Sequence, residues 1–408
     1  MAGEHPQDPR KRRGLLVACA SGVALLAAAC IPQPPPPPPP PPSVCASGGP
    51  ESEVLTHAGG EGQEAATVPV VAVTEDGAGD LEVVTYGADD LGEAVEFAVA
   101  LEADPTTDVV AVEADTPVAV EATATDPKRS QQWALNNVSF ESAWDTANGS
   151  GTVIAVVDTG VRATHEDLGS KTEAGADFVS PGGGTGCFDP HGHGTHVAGI
   201  ASASTNNGKG VAGGSPGSHI MPVRVLDEDG SGWTSDVTAG IIWAADHGAD
   251  VINLSLGGGG YSSSMRTAVQ NAVADGVLVV AASGNNNSST PSYPGGYPEA
   301  LTVASTTSSN IRSGFSNYGP HVDVAAPGSG ILSTGGWANN AYVTMSGTSM
   351  ATPYASAAAA VVKSACPAAS ANDVTAALTS TATDLGSPGF DNYFGHGLIN
   401  PAGAVTAC

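Results

Sequence analysis

Three short motifs of the chain contain residue types that could together perform nucleophilic chemistry. VVDTG contains Asp158, HGHGTH contains His193, and GTSMATP contains Ser349. A serine hydroxyl becomes an effective nucleophile when an imidazole accepts its proton, and a carboxylate fixes the imidazole tautomer and stabilises its charged form. The motifs therefore predict an Asp-His-Ser triad, provided that the fold brings them together.

The elements that must position these residues follow from the hydrophobic pattern beyond residue 126. Apolar β-branched runs alternate there with helical segments of small residues, which predicts an α/β fold with a doubly wound, mostly parallel sheet and helices on both faces. Strands are predicted at 153–157, 220–226, 251–254, 277–281, 301–304 and 322–325, and helices at 193–203, 234–247, 263–275, 349–364 and 371–379. Asp158 then ends a strand while His193 and Ser349 begin helices, so all three can converge at one sheet edge.

Each motif is a weak signal by itself, because a lone strand-end aspartate often caps a helix and a serine after Gly-Thr is often only an N-cap. Together, in the order Asp158, His193, Ser349, they resemble the subtilisin-like serine protease family, the subtilases, over residues 131–404. The resemblance implies a broad endopeptidase that forms an acyl-enzyme, in which Asp158 orients His193, His193 is the general base and Ser349 attacks the scissile carbonyl. His196 matches the family's structural second histidine.

Two other functions fit part of this pattern. An esterase or lipase of the α/β-hydrolase type has a Gly-x-Ser-x-Gly elbow that precedes its Asp and His, whereas residues 347–351 lack the second glycine and come last. The other alternative is an inactive subtilase that acts as a surface binding protein. Retention of Asp158, His193, Ser349 and Asn285 together argues against it.

The resemblance also identifies residues that would bind substrate. Asn285, in the motif AASGN, matches the family's oxyanion asparagine, whose amide would act beside the backbone N–H of Ser349. Substrate-binding positions are expected on two segments, at Ser255, Leu256, Gly257, Ser283 and Gly284. The first segment, LSLGG, resembles the strand that pairs with an extended peptide, and its alternative interpretation is a flexible loop.

The specificity pocket and the helix of the serine depart from the family's usual residues. Ser292 stands near the position where relatives often have a pocket glycine, which leaves the depth of the pocket open. Tyr354 and Ala357 replace a usual histidine and a usual glycine on the helix that follows Ser349. Neither position is chemical in the family, so these two changes concern packing.

The resemblance further implies a structural calcium ion. Asp167 and Asn207 match ligands of a site found in many subtilases, and Gln132 is a third candidate. Carboxylate, amide and carbonyl oxygens suit this hard cation. The alternative is an ordinary Asn-Asn-Gly turn, with Lys209 placing a positive charge in the same loop.

The first 30 residues are expected to be a signal peptide. Four basic residues precede an uncharged apolar stretch, residues 14–29, which is short for a membrane span, and the alternative is a retained membrane anchor. The stretch ends in a segment that resembles a bacterial lipoprotein cleavage site at Cys30, so lipidation and ordinary cleavage both remain open. Residues 31–50 contain nine consecutive prolines, which form a polyproline II spacer.

Residues 51–125 are expected to form an inhibitory propeptide. Residues 44–125 contain 18 acidic residues and no lysine or arginine, yet they show strand patterns at 68–73, 81–85, 109–112 and 118–120 and a helical pattern at 91–101. The alternative is a solvated acidic leader. The resemblance implies that the protease removes this segment itself, with a junction between Glu121 and Gln131, and that residues 126–408 form the peptidase domain.

Charge and cysteine content limit the partners and the compartment. The formal charge of −28 repels phosphate backbones, so nucleic acid is not expected as a partner. Protein or peptide substrates and the chain's own propeptide are expected, with membrane contact only through a lipid anchor, and the family habit is a monomer. In an exported, oxidising compartment Cys366 is expected to pair with Cys408, which leaves Cys187 without an obvious partner.

Overall fold

A computed structural model describes residues 68–75, 81–88, 91–102, 108–114, 124–180, 183–258 and 260–408. The chain divides into two compact units, Met1–Asp115 and Thr116–Cys408. The predicted signal peptide, the proline spacer and the predicted strand at 118–120 lie outside the described residues. Among the described helices, none combines the length and the apolar character that crossing a membrane requires.

The first unit is a small α+β structure. Its described elements are β1 (Val68–Glu75), β2 (Leu81–Ala88), α1 (Leu91–Glu102) and β3 (Asp108–Ala114). The strands form an antiparallel sheet in the order β2-β1-β3, and the half-buried ring of Phe97 on α1 stacks on Tyr86 with ring centroids 4.5 Å apart. Each element overlaps the strand or helix that the sequence predicts, because the strands contain valine-rich runs and the apolar residues of α1 follow helical spacing.

The second unit is built on a parallel sheet of seven strands in the order β10-β9-β8-β7-β4-β6-β5. The strands are β4 (Val153–Asp158), β5 (Ala176–Asp177), β6 (His219–Arg224), β7 (Val251–Leu254), β8 (Leu278–Ala282), β9 (Leu301–Thr306) and β10 (Val324–Pro327). β4 lies between β6 and β7, so the strand order reverses beside it. A crevice opens at the carboxyl end of a strand at such a reversal, and Asp158 stands there.

Helices cover both faces of this sheet, as the sequence predicts. They are α2 (Trp133–Asn137), α3 (Phe140–Trp144), α4 (His193–Ser202), α5 (Thr234–Asp246), α6 (Ser263–Ala274), α7 (Thr348–Ala365), α8 (Ala371–Ser380) and α9 (Pro401–Thr406). One core packs α4 and α7 against one face, and the other packs α5 and α6 against the opposite face. The helix α7 is buried over most of its length, and its many alanines allow close approach to the strands.

The short elements are the ones that the sequence analysis does not contain. They are α2, α3, α9, the two-residue β5, and a hairpin of β11 (Ile331–Thr334) and β12 (Tyr342–Met345). Their sequences are short and mix polar with apolar residues, whereas equally short strands such as β7 and β8 are almost wholly apolar and therefore stand out. The two residues of α7 that differ from the family's usual ones have a packing role. Tyr354 is buried against Phe140, and Ala357 lies against Gly214.

Cys366 and Cys408 lie at disulfide distance, with Cα atoms 6.2 Å apart. The pair links the end of α7 to the end of the chain, beyond α9. Cys187 is a free, half-buried cysteine.

Candidate active site

Asp158 and His193 meet at the carboxyl end of β4. Asp158 is the last residue of β4 and is fully buried, while His193 is the first residue of α4 with its side chain 20% exposed. The imidazole Nδ1 donates to Asp158 Oδ1 over 2.8 Å, and the backbone N–H of Thr159 donates to the same oxygen over 2.7 Å. Because Nδ1 carries the proton in this pair, Nε2 is left free to accept one.

The charges around His193 favour its protonated form. Burial by itself lowers the pKa of His193, but the charge and hydrogen bond of the Asp158 carboxylate, together with the charge of Asp189, hold this pKa above its ordinary value. An imidazole in such a field can hold the proton that it takes from a nucleophile.

The second histidine of the motif has a different environment. Burial lowers the pKa of His196 to about 4, so this ring is neutral at pH 7. Its Nε2–H is shared between the carbonyls of Ile331 and Val343, at 3.2 and 3.1 Å. His196 therefore fastens α4 to the β11–β12 hairpin and is not available for proton transfer in the cleft.

Ser349 lies in the first turn of α7 and is half-buried. Its carbonyl accepts a hydrogen bond from Ser255 Oγ over 2.8 Å, which ties the helix start to the segment after β7. Ser349, His193 and Asn285 line one cleft of about 530 Å³. The sheet edge thus brings together the three triad candidates, and the backbone N–H groups at the start of α7 favour an anion there.

Asn285 is exposed at the cleft with its amide held in one orientation. The backbone N–H and the hydroxyl of Thr348 both donate to Asn285 Oδ1, over 2.8 and 3.0 Å. This leaves the Nδ2 hydrogens of Asn285 free to donate to a developing oxyanion near Ser349.

The predicted substrate-binding residues divide into two groups. Ser255, Leu256 and Gly257 line the cleft. Ser283 is fully buried, and its carbonyl accepts a hydrogen bond from the side chain of Asn317 over 3.0 Å. Gly284 is half-buried with φ +105°, a conformation that favours glycine.

The three predicted metal ligands do not all lie together. The Nδ2 of Asn207 donates to Asp167 Oδ1 over 2.9 Å, so these two side chains are in contact. Gln132, which directly precedes α2, contacts neither of them: its amide bonds both the N–H and the carbonyl of Ala212, at 2.9 and 2.8 Å. Its oxygen is therefore already used as a backbone partner.

Asp126 is a buried carboxylate of this cluster that the sequence analysis does not identify. It is 4% exposed and accepts hydrogen bonds from the backbone N–H groups of Asn206 and Asn207, over 2.8 and 3.1 Å. Asp167, fully buried, approaches the same asparagine from its side-chain end. Among the described residues, neither carboxylate forms an ion pair with a lysine or arginine.

The electrostatics of this cluster are negative. The hydroxyl of Tyr342 lies 2.9 Å from both Asp167 Oδ2 and Glu166 Oε1, although it has one proton to donate. Burial, with the two carboxylates as its neighbours, raises the pKa of the Tyr342 phenol. In the described part of the chain no group of three or more His, Cys, Asp or Glu side chains forms a metal-binding cluster. Asp126, Asp167 and Asn207 are the residues that could hold a hard cation, which would have to replace hydrogen-bond donors that their oxygens now accept from.

Asp189 is a second functional candidate that motif reading alone does not select. It stands four residues before His193, the first residue of α4, in the sequence DPHGH, and is 3% exposed. The sequence does contain a local pattern that points to Asp189, because an aspartate just before a helix commonly caps the N–H groups of that helix.

Comparison with known proteins agrees with this geometry. The model of the subtilase family matches residues 149–397. Thermitase from Thermoactinomyces vulgaris is 45% identical over 68% of this chain and 96% of its own length, and subtilisin BL from Lederbergia lenta is 42% identical over 68% and 99%. A solved protease structure from Pseudoalteromonas arctica PAMC 21717 superposes with a TM-score of 0.66 at 36% identity, covering 70% of this chain and 99% of that one.

The fold, the cleft and these matches define a serine-type endopeptidase with a subtilisin-like α/β fold. The chain belongs to the subtilase family.

Proposed function

We propose that this subtilase hydrolyses peptide bonds through Asp158, His193 and Ser349. The observation that carries the proposal is the 2.8 Å contact from His193 Nδ1 to the buried Asp158 carboxylate, at the wall of a cleft that Ser349 and Asn285 also line. Asp158 fixes the tautomer, so that His193 Nε2 can take the proton of Ser349 Oγ as this oxygen attacks the scissile carbonyl.

The tetrahedral intermediate then places a negative charge on the former carbonyl oxygen. Asn285 Nδ2 and the backbone N–H of Ser349 are the donors for this charge, and the held orientation of Asn285 means that little reorganisation accompanies the step. His193 returns its proton to the leaving amine, an acyl group remains on Ser349, and a water activated by the same imidazole releases it.

The substrate class follows from the shape of the cleft. Ser255, Leu256 and Gly257 offer a backbone edge along which an extended peptide can pair. Main-chain pairing depends on peptide conformation more than on side chains, so broad endopeptidase specificity is expected. Ser292, beside Gly257, restricts the pocket for the residue that precedes the scissile bond.

The order of segments supports a secreted zymogen. An export signal at residues 1–30, a spacer at 31–50 and an acidic unit before residue 126 precede the peptidase domain, and we assign the acidic unit as an inhibitory propeptide that the enzyme removes itself. If Cys30 is lipidated, cleavage between Glu121 and Gln131 releases the peptidase from the cell envelope.

Calcium is proposed at the Asp126–Asp167–Asn207 cluster, where it would balance the buried carboxylates and stabilise the loop at residues 205–211. Its contribution is structural, and no step of peptide hydrolysis passes through it. The argument rests on two carboxylates, 4% and 0% exposed, that approach one asparagine.

The experiment that tests the proposal compares the signal-free wild type with Ser349→Ala. The wild type is expected to shorten by mass to a species that starts between residues 122 and 131 and to digest unfolded casein. Ser349→Ala is expected to fold, remain full length and lack activity. A wild type that folds but stays full length and inert would favour the surface binding protein instead.

A further inference from the structure

Asp189 is a buried carboxylate outside the proposed triad. It is 3% exposed, and no lysine or arginine in the described part of the chain pairs with it. A buried carboxylate needs compensation from donors, and Asp189 obtains it entirely from hydrogen bonds.

Five donors surround the Asp189 carboxylate. Oδ1 accepts from Thr159 Oγ1 over 2.8 Å and from the backbone N–H groups of His191 and Gly192 over 3.1 and 2.7 Å. Oδ2 accepts from the backbone N–H and the hydroxyl of Thr195, over 2.8 and 2.5 Å. Oδ1 therefore faces the residue after β4 and the loop before α4, whereas Oδ2 faces the first turn of α4.

These contacts join the two elements that carry the Asp158–His193 pair. Thr159 directly follows Asp158 at the end of β4, and Gly192 to Thr195 span the first turn of α4 around His193. The N-cap of α4 is Gly192, at φ +95°, which has no side chain to cap the helix, so Asp189 supplies the acceptors in its place. Thr159 Oγ1 also accepts from the N–H of Gly194 over 2.9 Å.

We propose that Asp189 is a positioning residue of the active site: it fixes His193 relative to Asp158 and stabilises the imidazolium that forms during acyl transfer. This inference rests on the proposed triad chemistry and extends it. Asp158 and Asp189 are the acidic groups that act on His193, from β4 and from the loop before α4. His196 lies one turn along the same helix, and the ring of His191 lies 6.2 Å away.

The consequence of the charge can be separated from the consequence of the hydrogen bonds. Asp189→Asn removes the negative charge and places an amide N–H₂ against existing donors, so it disturbs both the charge and the hydrogen bonds. Thr159→Val breaks the link to Asp189 while leaving the charge in place. Asp189→Glu keeps the charge and should restore part of the activity that the asparagine variant loses.

The charge effect is measured directly on His193, without any need for turnover. In the Ser349→Ala background, which prevents self-digestion, histidine-labelled protein is titrated by NMR, and the His193 signal is assigned by its loss in His193→Gln. Asp189→Asn is expected to shift the His193 titration to lower pH. Asp373→Asn, which removes the capping-box carboxylate of α8, is the matched control and should leave this titration unchanged.

The positioning effect is measured in the active enzyme with a peptide substrate. Asp189→Asn and Thr159→Val are each expected to lower kcat roughly 10- to 100-fold with a smaller change in KM, because the imidazole is displaced from its productive geometry. The acid limb of kcat/KM should move to lower pH in Asp189→Asn.

An unchanged His193 titration in Asp189→Asn, or kcat losses no larger than that of Asp373→Asn, would overturn the inference. The NMR titration decides the charge effect even if the wild type proves inert toward peptides, a result that would count against the triad proposal alone. If Asp189→Asn does not fold, Thr159→Val still decides the positioning effect.

Discussion

Ser292 Oγ lies against Gly257, a residue that lines the substrate cleft. A methyl group added to Gly257 would lie 2.7 Å from Ser292 Oγ, and one added to Gly284 would lie 3.1 Å from Ser292 Cβ. The serine side chain thus stands between the two segments that would hold the substrate. We infer that it shortens the pocket for the residue before the scissile bond.

Ser292→Gly should therefore allow the enzyme to accept larger side chains at the residue before the scissile bond. The expected result is a rise of roughly tenfold in kcat/KM for a peptide with phenylalanine before the scissile bond, relative to the same peptide with alanine, since one extra buried group changes discrimination by about this amount. Ser289→Gly, at an exposed position of the same loop, is the control. Equal ratios in wild type and Ser292→Gly would contradict this assignment of the pocket.

Asn285→Leu should lower kcat about 100- to 1000-fold with little change in KM, because the side-chain amide acts on the oxyanion and not on the ground state. Steady-state kinetics on a chromogenic peptide measure both parameters. The neighbouring exposed Asn286 provides the control, and Asn286→Leu should retain most of kcat. Comparable losses in the two variants would remove Asn285 from the oxyanion site.

We expect the buried Lys171 to make the stability of the peptidase domain depend on pH. It is 9% exposed, and its Nζ donates to Ser202 Oγ over 2.6 Å and to the carbonyl of Pro216. Burial lowers the pKa of Lys171 from 10.5 to about 7. Between these two values the unfolded chain binds more protons than the folded one, so the free energy of unfolding rises with pH across this window.

Lys171→Met should flatten this rise, which is on the order of 4 kcal/mol between pH 7 and 10.5. Urea denaturation in the Ser349→Ala background, at pH 7 and again at pH 10, measures it. Lys209→Met removes a charge from an exposed loop and serves as the control. If the parent protein is equally stable at both pH values, the effect assigned to Lys171 is absent.

Removal of calcium should lower the melting temperature of the parent protein, and Asp126→Asn should abolish most of the difference between samples with calcium and with a chelator. Differential scanning calorimetry in the Ser349→Ala background measures this. Gln132→Met offers a sharp contrast, because its amide bonds the backbone of Ala212: it should lower the melting temperature equally in both conditions. Calcium dependence that survives Asp126→Asn but disappears in Gln132→Met would reverse this ligand assignment.

Much of the fold could be predicted from the sequence because the central strands are uninterrupted apolar runs and the longer helices between them are rich in small residues. The predicted buried strands and helices of the second unit all correspond to observed elements, among them β4 and α7. The β11–β12 hairpin and the short helices could not be predicted in this way, because what stabilises them is contact with distant residues. The bond from His196 to the carbonyls of Ile331 and Val343 is an example.

The class of chemistry could be predicted from the sequence, because Asp158, His193 and Ser349 lie in compact motifs whose residue types and order restrict what they can do. The other side chains that surround these residues became visible only in the folded chain. Asp126 approaches Asn207 across 81 residues of chain, and Asp189 faces Thr159 across 30. Such contacts depend on how strands and helices are packed, and no local pattern of residues encodes a distance between segments so far apart.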